Sequence, residues 1–169
     1  VTINNSGPLT IAPGTSMTLS GPFQQTGAGA VSLGASIVAT NADISFASAV
    51  TLTDTISLST ENGAGNINFN STLDSDGPSP LHRNLTLLSG TGNMTFTGAV
   101  GATVPIGAFQ IDNANVVSVS SNIFADTITQ LAGTGTTTFS GTVNTTLAGG
   151  VNVEGNNFAF NNTVTTAGT

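Results

Sequence analysis

The sequence predicts an all-β protein, a parallel β-solenoid of about seven coils that forms a single domain over residues 1–169. No stretch has the three- and four-residue spacing of apolar residues that is typical of helices. Instead, Gly, Asn and Ser bound short runs of alternating apolar and polar residues, the pattern of strands and turns. The chain also repeats internally, and repeats of this length are typical of solenoids.

The repeat is clearest in three segments of the form Gly-x-Gly-x-x-x-Phe-x-small-x-aliphatic, at residues 63–73, 90–100 and 133–143. Each predicts a strand whose central side chain points inward while its neighbours point outward. Weaker copies extend the series, with centres 20 to 27 residues apart. The centres that we assign are Leu19, Phe46, Phe69, Phe96, Val119, Phe139 and Phe160. We expect these side chains to form one stack inside the solenoid.

Flanking columns support this alignment. Residues two before the centre are apolar except Thr137, and residues four after it are apolar from Phe23 in the first copy to Val164 in the last. We expect a second strand upstream of each centre, at residues 9–11, 31–33, 56–58, 85–87, 109–111, 128–131 and 151–153. A β-sandwich or jelly roll is the alternative, since it also has short strands at regular spacing. A sandwich would not explain why the same types of residue recur at equivalent positions of every repeat.

The stretch LTLLSGTGNMTFTGAVGATVPIGAFQI, residues 85–111, resembles the repeat unit of large bacterial surface proteins, the filamentous-haemagglutinin-like and autotransporter-like adhesins. The resemblance extends over most of the chain from about Gly63 onward. It implies a right-handed β-helix, secretion, and a role in adhesion or in an extracellular matrix. It brings no catalytic residues, and this chain has fewer repeats than members of that family usually have.

The charge of the chain argues against two classes of partner. The formal net charge of −7 comes from eight acidic residues and a single basic residue, Arg83. Proteins that bind nucleic acid or an anionic membrane surface need the opposite charge, so we expect neither. No apolar run is long enough to span a bilayer, so we expect no membrane insertion. Charged residues make up only 5% of the chain, which predicts a surface of Thr, Ser, Asn and Gly.

We expect no enzymatic activity. Lys and Cys are absent, and the single histidine, His82, stands beside Arg83 in a segment that we expect to be a solvent-exposed loop. The acidic residues fall on different coils and do not converge on one groove. The Gly-x-Gly segments are interpreted as turns and not as phosphate-binding loops, because such loops need a helix directly after the glycines and none is predicted here.

Residues 74–83 contain two prolines and predict a loop inserted into one coil. The run Asp74-Ser-Asp-Gly77 resembles the start of a calcium-binding loop, but the Glu expected at its distal end is replaced by Leu85. A surface turn is therefore favoured over a calcium site with Asp74 and Asp76 as ligands. We expect no other metal or cofactor.

The pattern Asn-x-Ser/Thr marks candidate N-glycosylation sites. They are Asn4, Asn70, Asn84, Asn93, Asn144 and Asn161. We expect Asn70 and Asn161 to lie in an outward-facing column next to the centre strand.

These patterns predict an extracellular or cell-surface structural protein, a filament or matrix subunit or a stalk segment of a surface adhesin. Neither end has a helix or a charge run that would cap it, so we expect self-association end to end through open β edges. The alternative is a module that binds carbohydrate, host surfaces or environmental surfaces. Ice binding through a threonine column at Thr18, Thr95 and Thr138 is less favoured, because other residues interrupt that column.

Overall fold

A computed structural model describes residues 1–78 and 80–167, and in these residues it contains short strands and no helix. The strands, in chain order, are β1 (Thr2–Ile3), β2 (Leu9–Ile11), β3 (Ser16–Leu19), β4 (Phe23–Gln25), β5 (Val31–Leu33), β6 (Ser36–Ala39), β7 (Ile44–Phe46), β8 (Val50–Leu52), β9 (Ile56–Ser59), β10 (Ile67–Phe69), β11 (Leu73–Ser75), β12 (Leu85–Leu88), β13 (Met94–Phe96), β14 (Ile106–Asn113), β15 (Val117–Val119), β16 (Ile123–Gln130), β17 (Thr136–Phe139), β18 (Val143–Thr145), β19 (Val151–Val153), β20 (Asn157–Phe160) and β21 (Val164–Thr166).

The strands form a right-handed parallel β-solenoid of about eight turns, which confirms the predicted fold class. Face A is the 8-stranded sheet β1-β4-β7-β10-β13-β15-β17-β20, and each of its strands opens one coil, numbered coil 1 to coil 8. Face B starts as the 4-stranded sheet of β2, β5, β8 and β11, and face C starts with β3, β6, β9 and β12. The two faces merge in β16, whose first residues pair with β18 and whose last residues pair with β19.

The predicted centre column is correct from coil 3 to coil 8. Phe46, Phe69, Phe96, Val119, Phe139 and Phe160 are paired in register along face A. The residue before each centre points outward. In each of the three-residue strands β7, β10, β13 and β15, the first and last residues are therefore buried and the middle residue is half-buried. The column four residues further on is also correct over these coils, where Val100 bridges Leu73 and Ile123.

The assignment of Leu19 as the first centre is wrong. Gln25 is the face A partner of Phe46, and Ile3 is the partner of Gln25, whereas Leu19 pairs with Ala39 on face C. Phe23 is likewise the partner of Ile44 and not a member of the distal column. Because the polar Gln25 stands in coil 2 where later coils have an aromatic centre, the sequence pattern did not identify this copy of the repeat. The turn that follows Gln25, residues 26–30, is also longer than the equivalent turn, residues 47–49.

All seven predicted second strands exist, but the first two lie on the wrong face. Residues 9–11 pair with residues 31–33, which in turn pair with β8 on face B, while the five later segments lie on face C. The equivalent strands of coils 1 and 2 are β3 and β6. The first of them, SMTL, does alternate and is the segment that we assigned to the first centre through Leu19, whereas SIVA lacks the simple alternation of apolar and polar residues.

Inward side chains of all three faces meet in one continuous core. Its largest members are six fully buried phenylalanines, Phe23, Phe46, Phe69, Phe96, Phe109 and Phe139. From Phe23 in coil 2 to Phe96 in coil 5, rings of consecutive coils lie 5.1 to 5.4 Å apart between centroids, and Phe69 is stacked nearly parallel to Phe96 with an interplanar angle of 11°. Phe109 contacts Phe96 within coil 5, at 5.4 Å. Because rings of neighbouring coils contact each other from Phe23 to Phe96 and again from Phe139 to Phe160, these coils do not bury their apolar faces alone.

Candidate functional sites

The coil at the C-terminal end of the solenoid exposes apolar side chains whose equivalents in coils 3 to 7 are buried. Phe160 is 38% exposed and Val164 is 42% exposed, whereas Phe139 and Val143, which pair with them, are each 1% exposed. The difference arises because, among the described residues, β20 and β21 have a neighbouring strand on one side only. Backbone N–H and C=O groups along that edge are therefore available to another strand.

The opposite end has the same character. β1 has a neighbouring strand on one side only, Val1 is 54% exposed, and Ile3 and Leu9 are only partly buried. Residues 1–42 and 155–169 contain no Asp, Glu, Lys or Arg, so all charged side chains lie on the coils between the two ends. Charged side chains on edge strands are a common means by which proteins prevent edge-to-edge association. In the described residues the edge strands β1, β20 and β21 have no such side chain, whereas the exposed Glu154 directly follows the edge strand β19.

The two predicted calcium ligands lie at the end of β11 and in the loop that follows it, and each accepts hydrogen bonds from groups of the protein. Asp74 lies in β11, and its Oδ1 accepts hydrogen bonds from the backbone N–H groups of Thr103 and Val104, at 2.8 and 3.3 Å. Asp76 accepts a hydrogen bond of 2.6 Å from Nε of Arg83. The described residues contain no group of three or more His, Cys, Asp or Glu side chains that could hold a metal ion.

The first two residues of the predicted insertion at 74–83 belong to β11, which ends at Ser75. The remaining residues lie between β11 and β12, which begins at Leu85. Ser79, within that segment, lies outside the described residues. The hydrogen bond from Arg83 to Asp76, and secondarily the negative charge of Asp76, raise the pKa of the Arg83 guanidinium above its ordinary value.

His82 is not the solvent-exposed loop residue that we expected. Its side chain is 6% exposed, and its Nδ1 lies 2.9 Å from Oδ1 of Asp126 in β16. The hydroxyl of Thr146, which follows β18, donates to the same carboxylate oxygen at 2.6 Å. A carboxylate at Nδ1 orients an imidazole as it does in hydrolase triads, but no described Ser or Thr hydroxyl is hydrogen-bonded to the Nε2 atom of His82.

A ladder of amide and carboxylate side chains runs along the corner that precedes face A. Oδ1 of Asp43 accepts from the backbone N–H of Asn66 at 2.7 Å, and Oδ1 of Asn66 accepts from that of Asn93 at 2.9 Å. Oδ1 of Asn93 in turn accepts from the backbone of Val116 and from Nδ2 of Asn115. The sequence holds a signal for this ladder, because Asp43, Asn66 and Asn93 each stand three residues before a centre Phe.

The six candidate glycosylation sites are spread along the solenoid. Asn4, Asn70, Asn84, Asn93 and Asn161 are exposed, and Asn144 is half-buried in β18. Two of the exposed side chains stabilise the contact between coils, because the Oδ1 atoms of Asn84 and Asn93 accept hydrogen bonds from backbone N–H groups of the following coil. Asn70 and Asn161 directly follow the centres Phe69 and Phe160.

The threonines proposed for an ice-binding column do not share a face. Thr95 and Thr138 both pair with Ser118 on face A, whereas Thr18 pairs with Val38 on face C. The displacement of Thr18 has the same cause as that of Leu19, because both were aligned on the wrong centre in the first coil. The polar surface of face A is therefore a mixture of Ser, Thr, Asn and Gln from coil 2 to coil 7.

Comparisons with protein-family models, with curated proteins and with solved structures found no match to this chain. No ligand-sized cavity occurs in the surface formed by residues 1–78 and 80–167. In the same residues there is no helix long and apolar enough to cross a membrane.

Proposed function

We propose that this chain is an extracellular structural element, a filament or matrix subunit or the stalk segment of a cell-surface adhesin. In this role the solenoid acts as a stiff rod whose length is set by the number of coils. The eight strands of face A are separated by about 4.8 Å, so the rod is roughly 34 Å long from the first strand to the last. Continuation of the same columns would lengthen it without changing its cross-section.

The observation that carries this proposal is the open and uncharged end of the solenoid. Phe160 and Val164 are exposed at an edge where every equivalent side chain in coils 3 to 7 is buried, and residues 155–169 are uncharged. Such an edge is completed either by further coils of a longer chain or by the first coil of a second copy. The second arrangement is a head-to-tail contact, which builds an open filament when successive copies do not close into a ring.

Self-association is tested with the 169-residue chain by sedimentation velocity over a range of concentrations and by electron microscopy. We expect particles of constant width whose length increases with concentration. Val164→Lys places a charge on the open edge and is expected to disperse these particles. Thr95→Lys adds the same charge at an outward position of face A in coil 5, away from both ends, and is the matched control. A wild-type chain that stays monomeric at the highest concentration would contradict assembly through the ends.

A further inference from the structure

Residues 80–84, here called the strap, lead into β12 of coil 4, and residues 82–84 of the strap lie alongside Gly107 of coil 5. The backbone N–H of Gly107 in β14 donates to the carbonyl of Arg83 at 2.9 Å. A Cβ at Gly107 would collide with Oδ1 of Asn84 and would lie 2.9 Å from the carbonyl oxygen of His82. A glycine is thus required at this position for the strap to lie flat on the neighbouring coil.

Beyond coil 5 the strap is fastened to two more coils. His82 of the strap binds Asp126 of coil 6, and Thr146 of coil 7 donates to the same oxygen of Asp126. The pair is largely shielded from water, with 6% and 16% of the two side chains exposed. Coils of a solenoid normally contact only their immediate neighbours. Here a single histidine ties coil 4 to coil 6, and Asp126 ties both to coil 7.

The strap also contains the one peptide bond that follows a basic residue, because Arg83 is the only Lys or Arg in the chain. Both sides of the bond to Asn84 are held by hydrogen bonds. The N–H of Arg83 donates to Oγ of Ser75 at 2.9 Å, and the carbonyl of Asn84 accepts from the N–H of Ile56 at 3.1 Å. A protease cleaves a segment that can leave its neighbours and extend in the active site, so this bond must be released before it is cut.

We propose that the clasp formed by His82, Asp126 and Thr146 is a conformational lock that controls proteolysis after Arg83. With the clasp closed, the strap is held on coils 5 and 6 and the bond is protected. With the clasp open, the strap separates from coils 3 and 5 and a trypsin-like protease hydrolyses the bond. Water then adds across the bond, leaving a carboxylate on Arg83 and an amino group on Asn84.

The test is the rate at which trypsin cuts the folded 169-residue chain, followed by the appearance of the fragments 1–83 and 84–169. His82→Ala and Asp126→Ala are each expected to accelerate cleavage by about tenfold or more. A hydrogen bond to a charged group contributes enough stability for that factor, and cleavage of a rapidly opening segment follows the population of its open form. The double variant is expected to be cut little faster than either single variant, because both remove the same contact.

Thr146→Val removes the hydroxyl that donates to Asp126 and is expected to accelerate cleavage by a smaller factor. Its matched control is Thr134→Val, which removes an equally exposed hydroxyl that donates to Asn115, away from the strap. Cleavage through release of the strap should depend only weakly on urea, whereas cleavage through global unfolding depends on it steeply. Wild-type rates in both alanine variants, or a urea dependence equal to that of global unfolding, would overturn the proposal.

Discussion

Coils 2 to 5 and coils 6 to 8 use the same backbone columns but fill the interior in different ways. In coils 2 to 5 the rings from Phe23 to Phe109 follow one another at centroid distances of 5.1 to 5.4 Å. The series ends at Val119, and Phe139 and Phe160 form a separate pair 5.1 Å apart. The parallel pairing of face A continues through this change without a shift in register.

Coils 6 and 7 also contain polar side chains where earlier coils have apolar ones. Gln130 and Thr137 are each only 2% exposed, and the hydroxyl of Thr137 donates to Oε1 of Gln130 at 2.9 Å. Thr145 is as deeply buried, but its hydroxyl has no hydrogen-bond partner in the described residues. The comparison shows that backbone pairing between strands determines the path of each coil. Polar residues are tolerated in the interior, and their effect on the free energy of unfolding depends on whether they have hydrogen-bond partners.

The largest expected effect is the loss of a ring from the continuous stack of coils 2 to 5. Phe96 is fully buried between Phe69 and Phe109. Phe96→Ala is expected to lower the free energy of unfolding by about 3–5 kcal/mol, because the transfer free energy is lost and a cavity remains. Urea denaturation followed by circular dichroism measures this. Thr97→Ala, on the exposed side of the same strand end, should change it by less than about 0.5 kcal/mol. Similar midpoints for the two variants would show that the faces are wrongly assigned.

Most of the fold was predictable from the sequence because most repeats share an aromatic residue at the centre and a small residue two positions after it. The prediction failed in coil 1 and coil 2, where Gln25 occupies the aromatic column and a longer turn shifts the spacing. Gln25 is nevertheless buried, and its Oε1 accepts the N–H groups of Ala47 and Ser48. A buried Gln that bonds to turn backbone looks like a surface residue in the sequence, so no periodicity argument could have placed it inward.

The candidate sites were less predictable than the fold. The side-chain ladder from Asp43 through Asn66 was readable in principle, since its members keep a fixed distance to the centre strand. The contact of His82 with Asp126 was not, because it joins residues 44 positions apart on coils that are not neighbours. Nothing in the local sequence of a Pro-rich segment indicates which distant carboxylate it reaches.

An intermediate effect is expected from breaking the paired polar group in coils 6 and 7. Thr137→Val removes the donor to Gln130 and leaves a buried amide oxygen without its partner. The free energy of unfolding should fall by about 1–3 kcal/mol, the cost of a buried polar group left unsatisfied. Thr138→Val, at the next and outward-facing position of β17, is the control and should have a much smaller effect. Equal stability of the Thr137 variant and wild type would mean that this hydrogen bond contributes nothing.

The smallest expected effect is a gain, and it comes from the unpaired threonine of the same region. Thr145 lies in β18, in register with Ala125 of coil 6 and Thr166 of coil 8, and its side chain is 2% exposed. Its hydroxyl has lost its hydration and has gained no partner in the described residues. Replacing such a group by an apolar one of the same shape removes the desolvation penalty and adds a buried methyl group. Thr145→Val is therefore expected to raise the free energy of unfolding by about 1 kcal/mol, measured by urea denaturation beside Thr137→Val. The two substitutions are chemically identical and lie on adjacent strands of one coil, so opposite signs isolate the effect of the hydrogen-bond partner. A loss of stability in Thr145→Val would show that the hydroxyl is satisfied, and the two threonines would then no longer differ.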